Sequence, residues 1–473
     1  MADSQPTTIR SGLVWTHGAT TYIAFGACSK LLVAISGNDR SDLKSYTFRD
    51  ITPAGQGIGT ALDDPTPRVG FGRGTFGSGL FGRESSERSS DMQPITTWSF
   101  DLWGSHLIAC PSTRAGDVYG AIYQWDPGSE SSAKATIVEN APTGCIGILS
   151  MLERFIFALG KNADAKVVSW CDRENLTVWD SLPENEAGDF DLGISGDLIQ
   201  GVTFQSVLLL LSSKEAVVCK YQAAPFVFGF KTVNNNCGVV SGQSAVKTPI
   251  GPMWMGREKI HWFDGVYVRE LNCDLKYELE NNINFDFASK IHSAHVDSKS
   301  EAVWFYPSSG STEIDRYISY NYETQAWCLG ESDRTAYLES GIFANPIGIA
   351  KNGDLYWHEK LNSYDENNLP FAETGPIYLN GNDGRSVEVL RLIPDLQKDQ
   401  DGLTFRLIAG NTPQGEEYFV PGKDDDGKMV NPVSGFIDLR NTGKYIRFRV
   451  DGKDGKDWSL GNIETYYGLR GNK

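Results

Sequence analysis

The stretch Gly70-Phe71-Gly72-Arg73-Gly74-Thr75-Phe76-Gly77-Ser78-Gly79-Leu80-Phe81-Gly82-Arg83 joins the residue type that cradles phosphates to regularly placed aromatics. Within it, Gly72 to Gly77 fits the GxGxxG spacing. A dinucleotide site of that kind needs a strand before the glycines and a helix after them, so that the phosphates meet a helix N-terminus. Here more glycine follows, then a polar Ser/Glu/Arg run to Asp91. A Gly/aromatic loop that packs on or contacts a partner is the better reading. Arg68, Arg73, Arg83 and Arg88 give it positive charge, and with Phe71, Phe76 and Phe81 they form the candidate channel or partner-contact set. Contact of these arginines with a nucleic-acid backbone is a second use that suits them.

Other candidate chemistry is thinner. Asp424-Asp425-Asp426-Gly427 and Asp451-Gly452-Lys453-Asp454-Gly455-Lys456-Asp457 carry carboxylates but lack the alternating ligands and closing Glu of a calcium loop. Interleaved lysines weaken the field a cation would feel, so solvated turns are expected. His292 and His295 are three apart and would face opposite sides of a strand, so no metal site is predicted there. The Gly-x-Ser-x-Gly elbow is missing. Ser169-Trp170-Cys171-Asp172 to Thr177-Val178-Trp179 is the nearest approach to the repeated turn of sialidase propellers, and its Ser–Asp spacing differs. The 60 Asp and Glu residues allow many carboxylate pairs and single out none for glycoside hydrolysis. No catalytic, cofactor-binding or metal residue is predicted, and no enzyme activity.

The elements around these residues are strands. A short apolar run ends in an aromatic, meets an Asp, Asn or Gly turn, and restarts. Examples are Ala121-Ile122-Tyr123-Gln124-Trp125-Asp126, Val167-Val168-Ser169-Trp170-Cys171-Asp172 and Lys259-Ile260-His261-Trp262-Phe263-Asp264. Ala302-Val303-Trp304-Phe305-Tyr306 and Gly353-Asp354-Leu355-Tyr356-Trp357 continue the series. Trp125 and Trp170 are 45 residues apart, and Trp262 and Trp304 are 42 apart, the period of propeller blades. Tryptophans recurring at strand ends fit inter-blade core better than sugar stacking. The expected architecture is all-β: a six- or seven-bladed β-propeller followed by an antiparallel β-sandwich. Residues 1–53 form the first blade and the N-terminal closure, 54–93 an inserted loop, and 94–360 the remaining blades. A linker at 361–376 precedes a C-terminal sandwich at 377–473, where Val387 to Pro394, Leu403 to Ile408 and Tyr445 to Val450 alternate with period two. The short last unit, 336–360, is of the kind that an N-terminal strand completes in many propellers. A helix is predicted over Leu271 to Phe287, where Leu275, Leu279, Ile283 and Phe287 recur at helical spacing.

The net charge is −17, so a surface that wraps nucleic acid throughout is excluded, whereas a channel wall that repels phosphates is not. The eight cysteines are scattered singly, several of them within apolar runs, and read as buried free thiols. The N-terminus lacks a basic-then-apolar leader, and no apolar run is long enough to span a bilayer. A reducing cytoplasm is the expected place of folding.

Several segments resemble the tail hub or nozzle (packaged-DNA stabilisation) proteins of short-tailed bacteriophages. They are Trp98-Ser99-Phe100-Asp101-Leu102-Trp103-Gly104 with Ala121 to Pro127, Ala187-Gly188-Asp189-Phe190, and Pro225 to Phe230 with Asn236-Cys237-Gly238. Asp315 to Tyr322 and the Gly/Phe loop at 70–82 belong with them, so the resemblance covers roughly residues 12–360. It implies a structural virion protein in a ring, expected to be a hexamer, assembled in the host cytoplasm and carried in the virion tail. It further implies that the ring sits below an adaptor or head-to-tail connector ring, carries tail fibres or spikes and a terminal plug or needle, and makes transient non-specific contact with genomic DNA. No cofactor and no membrane insertion are expected. The alternatives are a carbohydrate-binding or glycoside-hydrolysing propeller and, further off, a protein-binding propeller in a cell.

Overall fold

The computed structural model describes residues 8–37, 39–40, 42–53, 62–67, 92–112, 120–130, 133–223, 226–339, 341–360, 371–379, 385–396, 403–412, 418–419, 428–429, 435–452 and 460–470. The chain divides into two compact units, Met1–His358 and Glu359–Lys473.

The first unit is a seven-bladed β-propeller. Six antiparallel sheets have four strands each, over residues 9–50, 98–137, 147–191, 198–234, 245–270 and 292–331. A seventh, over 334–357, has three. In each blade the strands follow chain order from the axis outwards. The innermost strands neighbour one another in sequence order, and Ile9–His17 lies beside Arg334–Leu338, which closes the ring. The N-terminal strand therefore does not complete the last blade. It is the innermost strand of its own four-stranded sheet, and the seventh blade stays at three strands among the described residues.

Packing explains the apolar runs. A blade is sandwiched between two others, so both faces of its middle strands are buried and alternation is lost. In Val207–Ser212, Leu208 and Leu210 pack with Phe157, Val168 and Trp170 of the third blade, while Val207, Leu209 and Leu211 pack with Trp254 and Phe263 of the fifth. Each of the seven joints has such an apolar cluster. The tryptophans lie within them: none of the described tryptophans is exposed. Several pin one blade to the next through the indole N–H. Trp98 Nε1 donates to the Ala27 carbonyl at 2.8 Å, and Trp304 Nε1 to that of Ser244 at 2.8 Å.

The helix is shorter than its apolar spacing predicts. It runs only over Lys276–Asn281 and ends where Asn281 and Asn282 follow Glu280. Asn side chains compete for backbone groups and favour caps and turns over helix interiors. The Asn284 side chain accepts from the Asp286 N–H at 3.3 Å and starts a separate 3₁₀ segment, Phe285–Lys290. Leu279 and Ile283 still face the core between the fifth and sixth blades.

The second unit is a two-sheet antiparallel sandwich. Tyr445–Asp451 and Thr404–Gly410 pair at the centre of one sheet, with Phe371–Glu373 and three two-residue strands beside them. The other sheet pairs Ser386–Leu396 between Ile437–Gly443 and Leu460–Arg470. Val387, Val389, Phe405, Leu407, Ile446 and Phe448 fill the space between. Arg447 and Arg449 point away from that core and share Glu373, at 3.1 and 3.4 Å.

Candidate functional site

The candidate contact residues Arg68, Phe71, Arg73, Phe76, Phe81, Arg83 and Arg88 lie outside the described residues. The described limbs on either side of them, 62–67 and 92–97, are informative. Thr66–Pro67 pairs antiparallel with Met92–Gln93, so the chain leaves and returns through a short two-stranded ribbon. Below the ribbon the limbs stay joined: the Thr96 N–H donates to the Leu62 carbonyl at 2.8 Å, and the Leu62 N–H to Thr96 Oγ1 at 3.1 Å. The foot of the ribbon lies where innermost strands begin: Asp63 meets Arg10 at the start of the first, and Asp64 meets Lys290 just before the sixth.

A buried ionic cluster clamps its foot. Arg10, on the first innermost strand, donates two hydrogen bonds to Glu313 of the sixth blade, at 2.6 and 2.8 Å, and reaches Asp63 at 3.4 Å. Lys290, just before the sixth blade, bonds Asp64 at 2.7 Å, Glu313 at 3.1 Å and the Thr312 carbonyl at 2.8 Å. Both cationic side chains are only 2% exposed, so they depend on these partners. Burial alone would raise the Glu313 pKa. The Arg10 hydrogen bonds and charge, with the Lys290 charge, overcome burial and hold it at about 2. Burial would lower the Arg10 pKa, and Glu313 and Asp63 outweigh that and raise it. The bidentate fork is the geometry in which guanidinium and carboxylate pair most strongly.

Sequence reasoning missed this cluster. Arg10 and Glu313 are 303 positions apart, and only the closed ring brings them together. The available signal was a charge beside a strand core, as in Ile9-Arg10-Ser11 and Lys290-Ile291-His292.

Beside the ribbon lies a cavity of about 850 Å³. Pro94 and Ile95 of the returning limb form one wall, and the Ile95 N–H donates to Ser289 Oγ at 3.3 Å. The connection from the fourth to the fifth blade supplies Asn235, Asn236 and Gly238, the turn inside the fifth blade Arg257 and Lys259, and the strand after it His261. Gly238 has no alternative here: a Cβ would lie 2.1 Å from the Ser213 carbonyl oxygen. His261 is buried against Trp254, and burial lowers its pKa to about 4, so the ring is neutral at pH 7. Among the described residues no tryptophan lines this cavity. Deeper on the axis, a second space of about 500 Å³ is lined by Arg10, Gln200, Gln243, Lys247, His292 and Glu339, among others.

The histidine pair separates as strand geometry demands. His292 stacks on Phe305 at 4.7 Å, whereas His295 Nε2 meets the Tyr322 hydroxyl at 3.1 Å. Of the two Asp-rich runs only Asp451 and Gly452 are described, and Asp451 pairs with Arg449 at 2.9 Å and Arg406 at 3.3 Å. Among the described residues no group of three or more His, Cys, Asp or Glu side chains could hold a metal ion. The eight cysteines are unpaired, six of them buried, and burial raises Cys145 and Cys171 to about 12. These thiols pack as apolar groups and are poor nucleophiles.

No known family model matches the chain, and no curated protein matches it in sequence. Solved structures similar in shape include the computationally designed Ika8 protein, at 8% identity, 75% of this chain, 96% of that one and a TM-score of 0.40. PorZ, a surface component of the type-IX secretion system of Porphyromonas gingivalis, is 9% identical over 75% of this chain and 37% of its own, with a TM-score of 0.40. The WD40 domain of Neurospora crassa Pan2 is 8% identical over 74% of this chain and 88% of its own, also with a TM-score of 0.40. At these values the propeller assignment rests on the chain's own strand topology.

Proposed function

We propose that this chain is a structural virion protein of a short-tailed bacteriophage, an oligomeric tail nozzle that extends the tail channel and retains packaged DNA. The observation that carries this reading is the clamped ribbon. Between its limbs the sequence carries four arginines and three phenylalanines in an otherwise acidic molecule. A net charge of −17 repels phosphates, so DNA slides along such walls, while a few arginines supply local contact. The outer edges of the blades and the outer strands of the sandwich would meet neighbouring subunits, an adaptor ring and fibres, and heterologous contacts close rings.

The test is the mass of the purified assembly, alone and mixed with the adaptor ring. Six copies, or six copies only on the adaptor, support the reading. A monomer that never joins an adaptor ring overturns it. Deleting residues 70–82 should leave the propeller folded, because both limbs of the ribbon stay clamped, and should impair ring assembly or DNA retention. A deletion variant that retains DNA normally removes the segment from the mechanism.

A further inference from the structure

We infer that the cavity beside the ribbon is a binding site for an uncharged or weakly charged oligosaccharide. The observations are the size of the space, the character of its lining and a buried polar group that faces it. A volume of about 850 Å³ is in the range that holds a drug-sized or few-sugar ligand. Charges in the lining balance: Lys214, Arg257 and Lys259 stand against Asp197, Glu258 and Asp286. Lys259 is already paired with Glu270 at 2.6 Å. A polyanion would meet three carboxylates in this space, and a polycation three cationic groups. A polyhydroxylated chain meets neither penalty, because each hydroxyl donates and accepts.

The remaining polar groups match that chemistry. Asn235 and Asn236 are exposed side-chain amides, each with donors and an acceptor, and Ser213 adds a hydroxyl. His261 is 6% exposed, neutral, and lines the cavity. A neutral imidazole offers one donor and one acceptor to a hydroxyl. Phe285 supplies an apolar surface with the Arg257 guanidinium 5.5 Å from its ring centroid. The floor is fixed: Ser241 Oγ donates to the Ile291 carbonyl, and the Ser213 N–H to that of Asp197 at 2.9 Å. The returning limb of the insert forms one wall, so a bound sugar would touch the same element that carries the arginines.

The experiment probes the full-length protein on an array of bacterial surface glycans and titrates each hit by calorimetry. The variants are N235A/N236A, which changes only exposed side chains, and His261→Phe, which keeps the ring and removes its polar atoms. Binding of an uncharged glycan, weakened at least tenfold in N235A/N236A with melting temperature unchanged, is the expected result. Three outcomes overturn the site: no glycan bound at millimolar concentration, equal affinity in N235A/N236A, or tighter binding of inorganic polyphosphate than of any glycan. None of them alters the mass of the ring, so the nozzle reading is tested separately.

Discussion

Two joints of the propeller are built on different physics. Between the third and fourth blades, Phe157, Trp170, Leu198, Leu208 and Phe228 interlock, with the Phe157 and Phe228 rings edge-on at 4.8 Å. Where the ring closes, apolar contacts such as Ile23 and Phe25 against Leu338 and Ile347 are supplemented by polar ties. Thr335 Oγ1 donates to the Ile9 carbonyl at 2.8 Å, and Arg10 reaches beyond the three-stranded seventh blade to Glu313 of the sixth. Apolar burial is non-directional and tolerates sliding, whereas a forked ion pair fixes one register. A ring whose last blade has three strands among the described residues uses the directional bond at the point where it has to close.

The largest effect should come from Arg10→Met. It leaves Glu313 with Lys290 and the more distant, exposed Lys351, and strips Asp63 of its buried partner. Breaking a buried pair from one side costs about 3–5 kcal/mol, and this change should reach the upper part of that range. Urea denaturation measures it, and limited proteolysis should show earlier cutting within residues 54–93. Loss of stability without any change in cleavage would separate ring closure from the holding of the insert. Leu208→Ala at the apolar joint should cost about 3 kcal/mol, from lost burial plus a cavity, and should leave cleavage of the insert unchanged. Equal cleavage in the two variants would mean that the joints are energetically equivalent and the contrast is wrong.

Acid should distinguish the joints next. His292 lies beside the clamp, and its pKa is lowered to about 4, chiefly by burial and also by the Arg10 charge, against the Lys290 backbone and the Glu313 charge. His261 also sits at about 4. A depressed histidine favours the neutral fold, so its contribution is complete above the ordinary value of 6.5 and is lost as pH falls from there to about 4. Glu313 acts in a lower window: its contribution is complete above 4.5 and disappears as pH falls towards 2. Each group contributes at most about 3 kcal/mol at 1.36 kcal/mol per pKa unit. His292→Phe keeps the flat stack on Phe305 and should reduce the stability lost between pH 6.5 and 4, with the remainder left to His261 and His295, measured by urea denaturation at several pH values. An unchanged loss would move the acid sensitivity away from the clamp.

Much of this comparison was legible in the sequence at one joint and little of it at the other. Apolar runs such as Val207 to Leu211 announce strands buried on both faces, and the spacing of Trp125, Trp170, Trp262 and Trp304 announces blades. Both signals are local. The count of seven needed the closed ring, because the last sheet has three strands and begins only three residues after the sixth ends. The clamp joins residues 10, 63, 64, 290 and 313, so no window of sequence contains it. The cavity beside the ribbon was hidden for the same reason: Asn235, Lys259 and Ser289 converge only because their blades share an axis. The helix failed differently. Its apolar spacing was sound, but the asparagines at 281, 282 and 284 broke the backbone that the spacing assumed.

The smallest effect completes the comparison by holding chemistry constant and changing burial. Arg154 and Glu174 form an ion pair at 3.3 Å, with side chains 71% and 61% exposed. It uses the same guanidinium and carboxylate groups as Arg10 and Glu313. In water, solvation of the separated charges nearly equals their attraction, and salt screens what remains. Arg154→Ala should therefore shift stability by less than about 0.5 kcal/mol, and added salt should leave that difference near zero. Arg10→Met should keep its full cost at high salt, because ions do not reach side chains that are 2% exposed. Paired denaturation curves at low and high salt give both numbers. If the two variants prove equally salt-sensitive, then the clamp is solvated in solution, and the ring is closed by the apolar contacts of Ile23, Phe25, Leu338 and Ile347 with the Thr335–Ile9 hydrogen bond.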